Sequence, residues 1–168
     1  MLARPLRTFV MFVAAVLSSV ACDSAKAPAV QPSPVAVELP PFQQEIASIK
    51  AEVTLPGSWK YGYRLVDKAD TSFGGYRAFE FHYAADTAMK VPQRLLLVIR
   101  AYHKAAWEKV SKGQVGKSAK LAEHGDDVYT YSIVTSNPYP ASTASALRVD
   151  AMMLGLIAET SPFRISFK

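Results

Sequence analysis

Two groups of polar side chains carry the residue types that could do chemistry. Glu80 and His82 are two positions apart in a segment that alternates apolar and polar residues, so on a β-strand they would share one face about 7 Å apart. His124, Asp126 and Asp127 lie together in the segment HGDD. Imidazole and carboxylate groups bind zinc, and adjacent carboxylates bind hard cations such as Ca²⁺. If the fold brings them together, these residues suggest a metal-binding protein or a hydrolase.

The same residues also fit a structural interpretation, which we favour. The three histidines, His82, His103 and His124, do not make the His-x-x-x-His or His-x-His spacing that places two imidazoles on one metal. An exposed sheet face explains the first group, and a turn before a strand explains the second. No Gly-x-Ser-x-Gly motif for nucleophilic catalysis occurs. We therefore assign no catalytic residue, no metal and no cofactor, and we keep metal binding or hydrolysis by Glu80, His82, His124 and Asp126 as the alternative.

The first 22 residues have the pattern of an export signal that ends at the only cysteine. Arg4 and Arg7 form a basic start, and an uncharged run of 14 residues then ends at Ala21, directly before Cys22. A transmembrane helix needs about 20 apolar residues, so this run is too short to span a bilayer. The pattern predicts a cleaved signal peptide at 1–21.

The small residues Ser19-Val20-Ala21 before Cys22 resemble the lipobox of bacterial lipoproteins. The resemblance implies cleavage between Ala21 and Cys22, a diacylglycerol thioether on the Cys22 sulfur, and fatty acylation (typically palmitate) of the new N-terminus. It implies a protein of the cell envelope that is anchored by lipid to a bacterial membrane and faces the periplasm or the cell exterior. Asp23 resembles an inner-membrane retention signal, but other bacteria use other rules, so inner and outer membrane both stay open. A soluble secreted protein with a free thiol is the alternative.

The rest of the chain divides into a linker and one domain. Residues 22–41 form a linker rich in Pro and Ala, and its five prolines predict an extended spacer. Residues 42–168 are enough for one globular domain, which lacks cysteine and must be held together by its core. Loss of Arg4 and Arg7 lowers the net charge from +5 to +3. The remaining basic residues are scattered, unlike the clustered basic face of a nucleic-acid binder, so we expect no nucleic-acid partner.

Hydrophobic periodicity predicts an α+β fold: a single domain with a mainly antiparallel sheet of five to six strands and two helices packed on it. The continuous apolar run from Arg94 to Tyr102 predicts a central strand that is covered on both faces. The spacing of Phe42, Ile46 and Ile49 predicts a short helix before the first strand. Strands are predicted at 49–55, 59–66, 78–84, 94–102, 128–133 and 163–167, and helices at 103–111 and from Ser142 or Thr143 to about Glu159.

This order of elements, together with the opening Leu-Pro-Gly-Ser-Trp at Leu55–Trp59, resembles the PsbP-like domains of exported bacterial lipoproteins. The resemblance covers most of the domain. It implies a fold, and it brings no established active site with it.

Aromatic residues give the best indication of a binding surface. We expect the Trp59-Tyr61-Tyr63 row to lie mainly in the core and Tyr139, in the loop Asn137-Pro138-Tyr139-Pro140, to be exposed. Tyr139 and Asn137 are therefore the predicted partner-binding residues. The sequence as a whole favours a non-catalytic binding or assembly module of the cell envelope, which contacts a protein, peptide or cell-wall partner through a sheet and the 136–142 loop. An inhibitor or immunity-type protein is one concrete form of such a module.

Overall fold

A computed structural model describes residues 39–71, 74–84, 93–112 and 118–168 of the chain. The predicted signal peptide, Cys22 and most of the linker lie outside these residues. Within them the chain forms eight β-strands in two antiparallel sheets and two α-helices. The fold class is α+β, as predicted.

The smaller sheet has three strands in the order β1-β2-β8: β1 is Phe42–Ile46, β2 is Ala51–Leu55 and β8 is Arg164–Phe167. Its middle strand is the predicted one, and Ala51, Val53 and Leu55 are fully buried. The helix predicted over Phe42 and Ile46 is wrong, because that segment is β1. A spacing of four residues is even, so it also places two side chains on the same face of a strand. A short helix is unstable by itself, whereas β1 forms backbone hydrogen bonds with β2.

The larger sheet has five strands in the order β3-β4-β5-β7-β6. They are β3 (Tyr63–Ala69), β4 (Arg77–Tyr83), β5 (Arg94–His103), β6 (Ala119–His124) and β7 (Asp127–Ile133). The central position of β5 is confirmed, and Leu96, Leu97, Val98 and Ile99 on its two faces are all buried. The sequence did not predict β6, since this edge strand is largely exposed and carries little apolar alternation.

The strand predicted from Trp59 begins four residues later, at Tyr63. Trp59 ends a 3-10 turn, and Tyr61 has a left-handed backbone with φ 70°. Successive turn hydrogen bonds, from Trp59 N to Pro56 O and from Gly62 N to Trp59 O, use the backbone groups that a strand would need. Trp59 is therefore fully buried while Tyr61 is 79% exposed, so the three aromatic residues do not form one row.

Both predicted helices are present. Helix α1 (Lys104–Ser111) follows β5 directly, and its Trp107 ring lies 5.3 Å from the ring of Tyr102. Helix α2 (Ala144–Ile157) begins after Thr143, whose Oγ1 accepts a hydrogen bond of 3.1 Å from Ala146 N. This is the predicted cap, and it satisfies one of the helix's free N–H groups.

The core lies between the two sheets and α2. We call the side of the larger sheet that faces this core the inner face, and the opposite side the outer face. Phe81, Leu97 and Ile99 are buried on the inner face. The smaller sheet meets the two edges of the larger one: His124 of β6 stacks on Phe167 with ring centres 4.3 Å apart, and Tyr63 Oη of β3 donates a hydrogen bond of 2.6 Å to Gln44 Oε1. Burial raises the pKa of Tyr63 to about 12, so this hydroxyl remains a neutral donor.

Helix α2 closes one end of the core. Its Val149 and Met152 side chains are fully buried. Trp59 Nε1 donates a hydrogen bond of 2.7 Å to the Met152 carbonyl, which joins the helix to the turn before β3. Full burial of a Val or Met side chain stabilises the folded state by about 1.5–3 kcal/mol. The inner side of α2 is therefore fixed firmly to the domain.

Candidate functional site

The outer face of the larger sheet brings Glu80 and His82 together, as their strand spacing predicts. His82 Nε2 lies 3.0 Å from Glu80 Oε2, and Lys68 Nζ on the neighbouring strand lies 2.8 Å from Glu80 Oε1. Both oxygens of the carboxylate therefore have a partner within the domain.

The environment of Glu80 keeps it charged. Partial burial acts to raise its pKa, but hydrogen bonds from Lys68 and His82 outweigh this effect and leave the pKa below its ordinary value. A carboxylic acid catalyst needs the opposite shift, toward neutral pH. The geometry and charge of this group fit an ion-pair cluster.

A second ion pair lies on the same face. Arg100 Nε is 3.3 Å from Asp70 Oδ2, and Arg100 Nη1 donates a longer hydrogen bond of 3.5 Å to Ser132 Oγ. Asp70 is buried and Arg100 is only slightly exposed. A buried charge is costly unless it is paired, so this contact stabilises the strand arrangement that places Arg100 in the middle of the sheet.

The structure does not bring His124 and Asp126 to the Glu80–His82 pair. β4 and β6 are separated by β5 and β7, a distance of about 14 Å at the usual strand spacing. His124 is on the inner side, where its ring stacks on Phe167 with centres 4.3 Å apart. Gly125, with φ 57°, and Asp126 form the tight turn between β6 and β7, as the structural interpretation predicts.

Asp127 belongs to a cluster that the sequence did not indicate. Its Oδ1 lies 2.9 Å from His103 Nδ1, and its Oδ2 accepts a hydrogen bond of 2.8 Å from Tyr76 Oη. The Tyr76 ring stacks on the His103 ring at 4.4 Å. Burial, and then the hydrogen bond to Asp127, raise the pKa of Tyr76. Only the pairing of His103 with Asp127 across β5 and β7 could have revealed this cluster, and residue spacing does not give that register.

These clusters limit the chemistry that the described residues can do. Among residues 39–71, 74–84, 93–112 and 118–168, no group of three or more His, Cys, Asp and Glu side chains is placed to hold a metal ion. The Asp127–His103 pair orients an exposed imidazole, but general-base catalysis also needs a reacting group within hydrogen-bond reach of that imidazole.

The predicted partner-binding residues hold their own loop in place. Asn137 Nδ2 donates hydrogen bonds to Ala146 O (2.7 Å) and Asp150 Oδ1 (2.8 Å), while its Oδ1 accepts one from Tyr139 N. Tyr139 is half-buried, with its ring 5.2 Å from that of Tyr83. The expected exposure of Tyr139 is wrong, because the Asn137 contacts turn the loop onto α2 and the core.

The exposed large apolar side chains gather around α2 instead. In the described part of the chain they are Leu39, Tyr61, Leu147, Leu154 and Ile157. We call this set the α2 surface. Leu147 and Leu154 are two helical turns apart on one side of α2, and both are more than 60% exposed, as is Ile157. The spacing of Ala146, Val149, Met153 and Ile157 predicts one broad apolar face on this helix. The structure buries Ala146 and Val149 but leaves Ile157 exposed.

The remaining two members lie next to the helix. Tyr61 is held beside it by a weak hydrogen bond of 3.4 Å from Arg148 Nη2 to the Tyr61 carbonyl. Leu39 lines a cleft of about 750 Å³ together with Ala151 and Gly155 of α2. All five residues therefore lie on α2 or on segments next to it.

Small residues and prolines form the walls of this cleft. Pro40, Pro41 and Pro56 line it together with Ala151 and Gly155. Segments of the chain approach very closely here: a Cβ added to Gly57 would lie 1.9 Å from the Leu39 carbonyl oxygen. Glycine at position 57 is thus what allows residues 39–41 to pack against the domain.

In the described residues no helix combines the length and the apolar character needed to cross a membrane. Comparison with protein-family models, curated proteins and solved structures finds no match to this chain. The resemblances to lipoproteins and to PsbP-like domains therefore remain predictions.

Proposed function

We propose that this chain is a membrane-anchored lipoprotein of the bacterial envelope that acts as a non-catalytic binding or assembly module. Its predicted anchor is the lipidated Cys22, and its binding region is the α2 surface. An inhibitor or immunity-type role is one form that such a module can take.

The observation that carries the proposal is the collection of exposed apolar side chains on one region. Single exposed apolar residues are normal on protein surfaces, whereas a continuous group marks contact with a protein or a membrane. Full burial of a completely exposed side chain of this size gains about 1.5–3 kcal/mol, and Leu154 and Ile157 still have more than 60% of their surface to bury. Covering the α2 surface is therefore favourable enough to support binding.

The polar clusters support the same conclusion indirectly. Glu80, Asp70 and Asp127 each have a basic or hydroxyl partner within the domain. Their charges stabilise the sheet and do not depend on an external ligand. Among the described residues, the α2 surface is therefore where we expect the binding free energy to come from.

The anchor can be tested by mass spectrometry of the native protein. We expect an N-terminal peptide that begins at Cys22 and carries a diacylglycerol thioether and an acylated amine. An unmodified Cys22 sulfur, or an intact leader before it, would contradict the anchored form.

Binding at the α2 surface can be tested by thiol accessibility. Cys22 is the only natural cysteine, so Leu154→Cys introduces one thiol that is free in the lipidated protein. We expect a membrane-impermeant maleimide to label this thiol slowly in isolated envelopes and quickly after detergent dispersal.

The control variant is Ala105→Cys, an exposed position on α1, outside the α2 surface. Its thiol should react quickly under both conditions. Equal labelling of the two variants in envelopes would mean that nothing covers the α2 surface, and the binding function would then be wrong.

A further inference from the structure

We propose that the α2 surface docks on the lipid bilayer in which Cys22 is anchored, so that the acyl-chain boundary of the membrane covers Leu147, Leu154 and Ile157. This inference rests on the proposed function, since it names what the α2 surface binds.

The first argument is the composition of α2. Its buried side is apolar, and its exposed side carries Leu147, Leu154 and Ile157; the charged residues among its 14 positions are Arg148 and Asp150. A helix that is apolar nearly all round belongs inside a core or in contact with lipid. The protein core covers one side of α2, and a bilayer would cover the other.

The second argument is where the tether joins the domain. Sixteen residues, 23–38, separate Cys22 from Leu39, and fully extended they span at most about 55 Å. Leu39 lies in the wall of the cleft beside Ala151 and Gly155. A lipid anchor on Cys22 would therefore join the domain at the α2 surface and raise the effective concentration of this region at the bilayer.

The third argument is the balance of charge. Residues 39–41, 56–62 and 144–162 carry two basic side chains, Lys60 and Arg148, and two acidic ones, Asp150 and Glu159. The net charge of the region is zero, so no charged partner is favoured. Docking should depend on apolar contact and change little with salt concentration, unlike the binding of a basic helix to anionic lipid.

The backbone of α2 also favours a lipid bilayer over an extended peptide as the partner. The peptide groups of α2 bond within the helix, so the α2 surface offers no strand edge to an extended peptide. Acyl chains have no hydrogen-bonding groups to satisfy, so they can cover Leu147, Leu154 and Ile157 without a polar penalty. The exposed carboxylate between these side chains, Asp150, accepts a hydrogen bond of 2.8 Å from Asn137 Nδ2.

The test uses the purified lipidated protein in vesicles of phosphatidylethanolamine and phosphatidylglycerol with no other protein present. An environment-sensitive fluorophore is placed on Leu154→Cys or, as the control, on Ala105→Cys. We expect a blue-shifted emission and quenching by nitroxide-labelled lipid at position 154 and neither effect at position 105. Leu147→Asp should abolish the shift at position 154, while the anchor keeps the protein on the vesicles.

Three outcomes would overturn the inference. They are an unshifted emission at position 154, an equal shift at both positions, and a shift at position 154 that lipid-borne nitroxide does not quench. If the thiol at position 154 is covered in native envelopes but stays exposed on pure lipid vesicles, the partner is a protein. The proposed binding function would then stand and the bilayer would be the wrong occupant.

Discussion

The outer face of the larger sheet and the α2 surface differ in whether their side chains have partners within the domain. The outer face carries conspicuous charges, but Glu80 is bonded to Lys68 and His82, and Arg100 is paired with Asp70. Four of the five side chains of the α2 surface are aliphatic, and its leucines are exposed to solvent in the described part of the chain. Charged side chains of the types used in catalysis can therefore serve only to stabilise a fold. Exposed apolar side chains on a helix, in contrast, can stabilise a complex when a partner buries them.

The largest effect should come from detaching α2 from the core. Trp59→Ala removes a fully buried ring and its hydrogen bond to the Met152 carbonyl, and it should lower the free energy of unfolding by about 3–5 kcal/mol. Urea unfolding followed by circular dichroism measures this change. Trp59→Phe keeps an apolar ring and should lose less. A loss below about 1 kcal/mol for Trp59→Ala would mean that the α2 surface does not depend on this attachment.

A smaller effect should follow from pushing residues 39–41 off the domain. Gly57→Ala places a methyl group against the Leu39 carbonyl, and such overpacking typically costs about 1–3 kcal/mol. Ser58→Ala, the neighbouring control, adds no atoms and should cost less. If both variants unfold at the same urea concentration as the wild type, the close approach at Gly57 contributes nothing to the cleft.

The contribution of the outer face to stability should depend on pH. The folded-state pKa of Glu80 lies below the ordinary value of 4.5, so its stabilising contribution is complete above pH 4.5 and is lost as the pH falls through the folded-state pKa. We expect Glu80→Gln to be less stable than the wild type at neutral pH, with a difference that shrinks in acid. Lys68→Gln, which removes one of the two partners, should reproduce part of this behaviour. Urea midpoints measured from neutral pH into acid give the result, and a difference that does not depend on pH would contradict it.

The smallest effect on stability should come from the α2 surface itself. Leu154 is 62% exposed but lies in the last turn of α2, so Leu154→Asp should lower the free energy of unfolding by no more than about 1 kcal/mol, through weaker helix propensity and an unfavourable helix dipole. The same substitution should nevertheless prevent coverage of the surface, measured as quenching by lipid nitroxide of a fluorophore at Leu147→Cys. A large loss of stability in Leu154→Asp would make α2 a purely structural helix and would remove the contrast with the outer face.

Most elements of the fold could be predicted because local patterns report them. The alternation in β2 and β4, the apolar run of β5 and the Thr143 cap of α2 each involve neighbouring residues in the chain. The errors have equally local causes: the even spacing of Phe42 and Ile46 fits a strand as well as a helix, and the turns after Pro56 delay β3 until Tyr63. The edge strand β6 gave no signal, since an exposed strand does not need apolar alternation.

The contacts of the candidate functional residues were far harder to predict from the sequence than the fold. The pairing of Glu80 with His82 followed from their spacing on one strand, but the distance to His124 and the contact of Asp127 with His103 depend on the order and register of strands that are far apart in sequence. Tyr139 appeared exposed from its proline-rich loop, yet the hydrogen bonds of Asn137 to α2 turn it inward. Long-range packing, which local pattern does not encode, decided each of these cases.

By itself, the sequence determined the class of the fold, the strand at its centre and the helix that closes it, because backbone preference and hydrophobic period act over a few residues. Export and a lipid tether remain predictions from its first 22 residues. Only the tertiary structure decided which side of α2 would be left uncovered. An apolar helix can bury one side against a single core, and the location of the sheets, Trp59 and residues 39–41 around it fixes the side that remains outside.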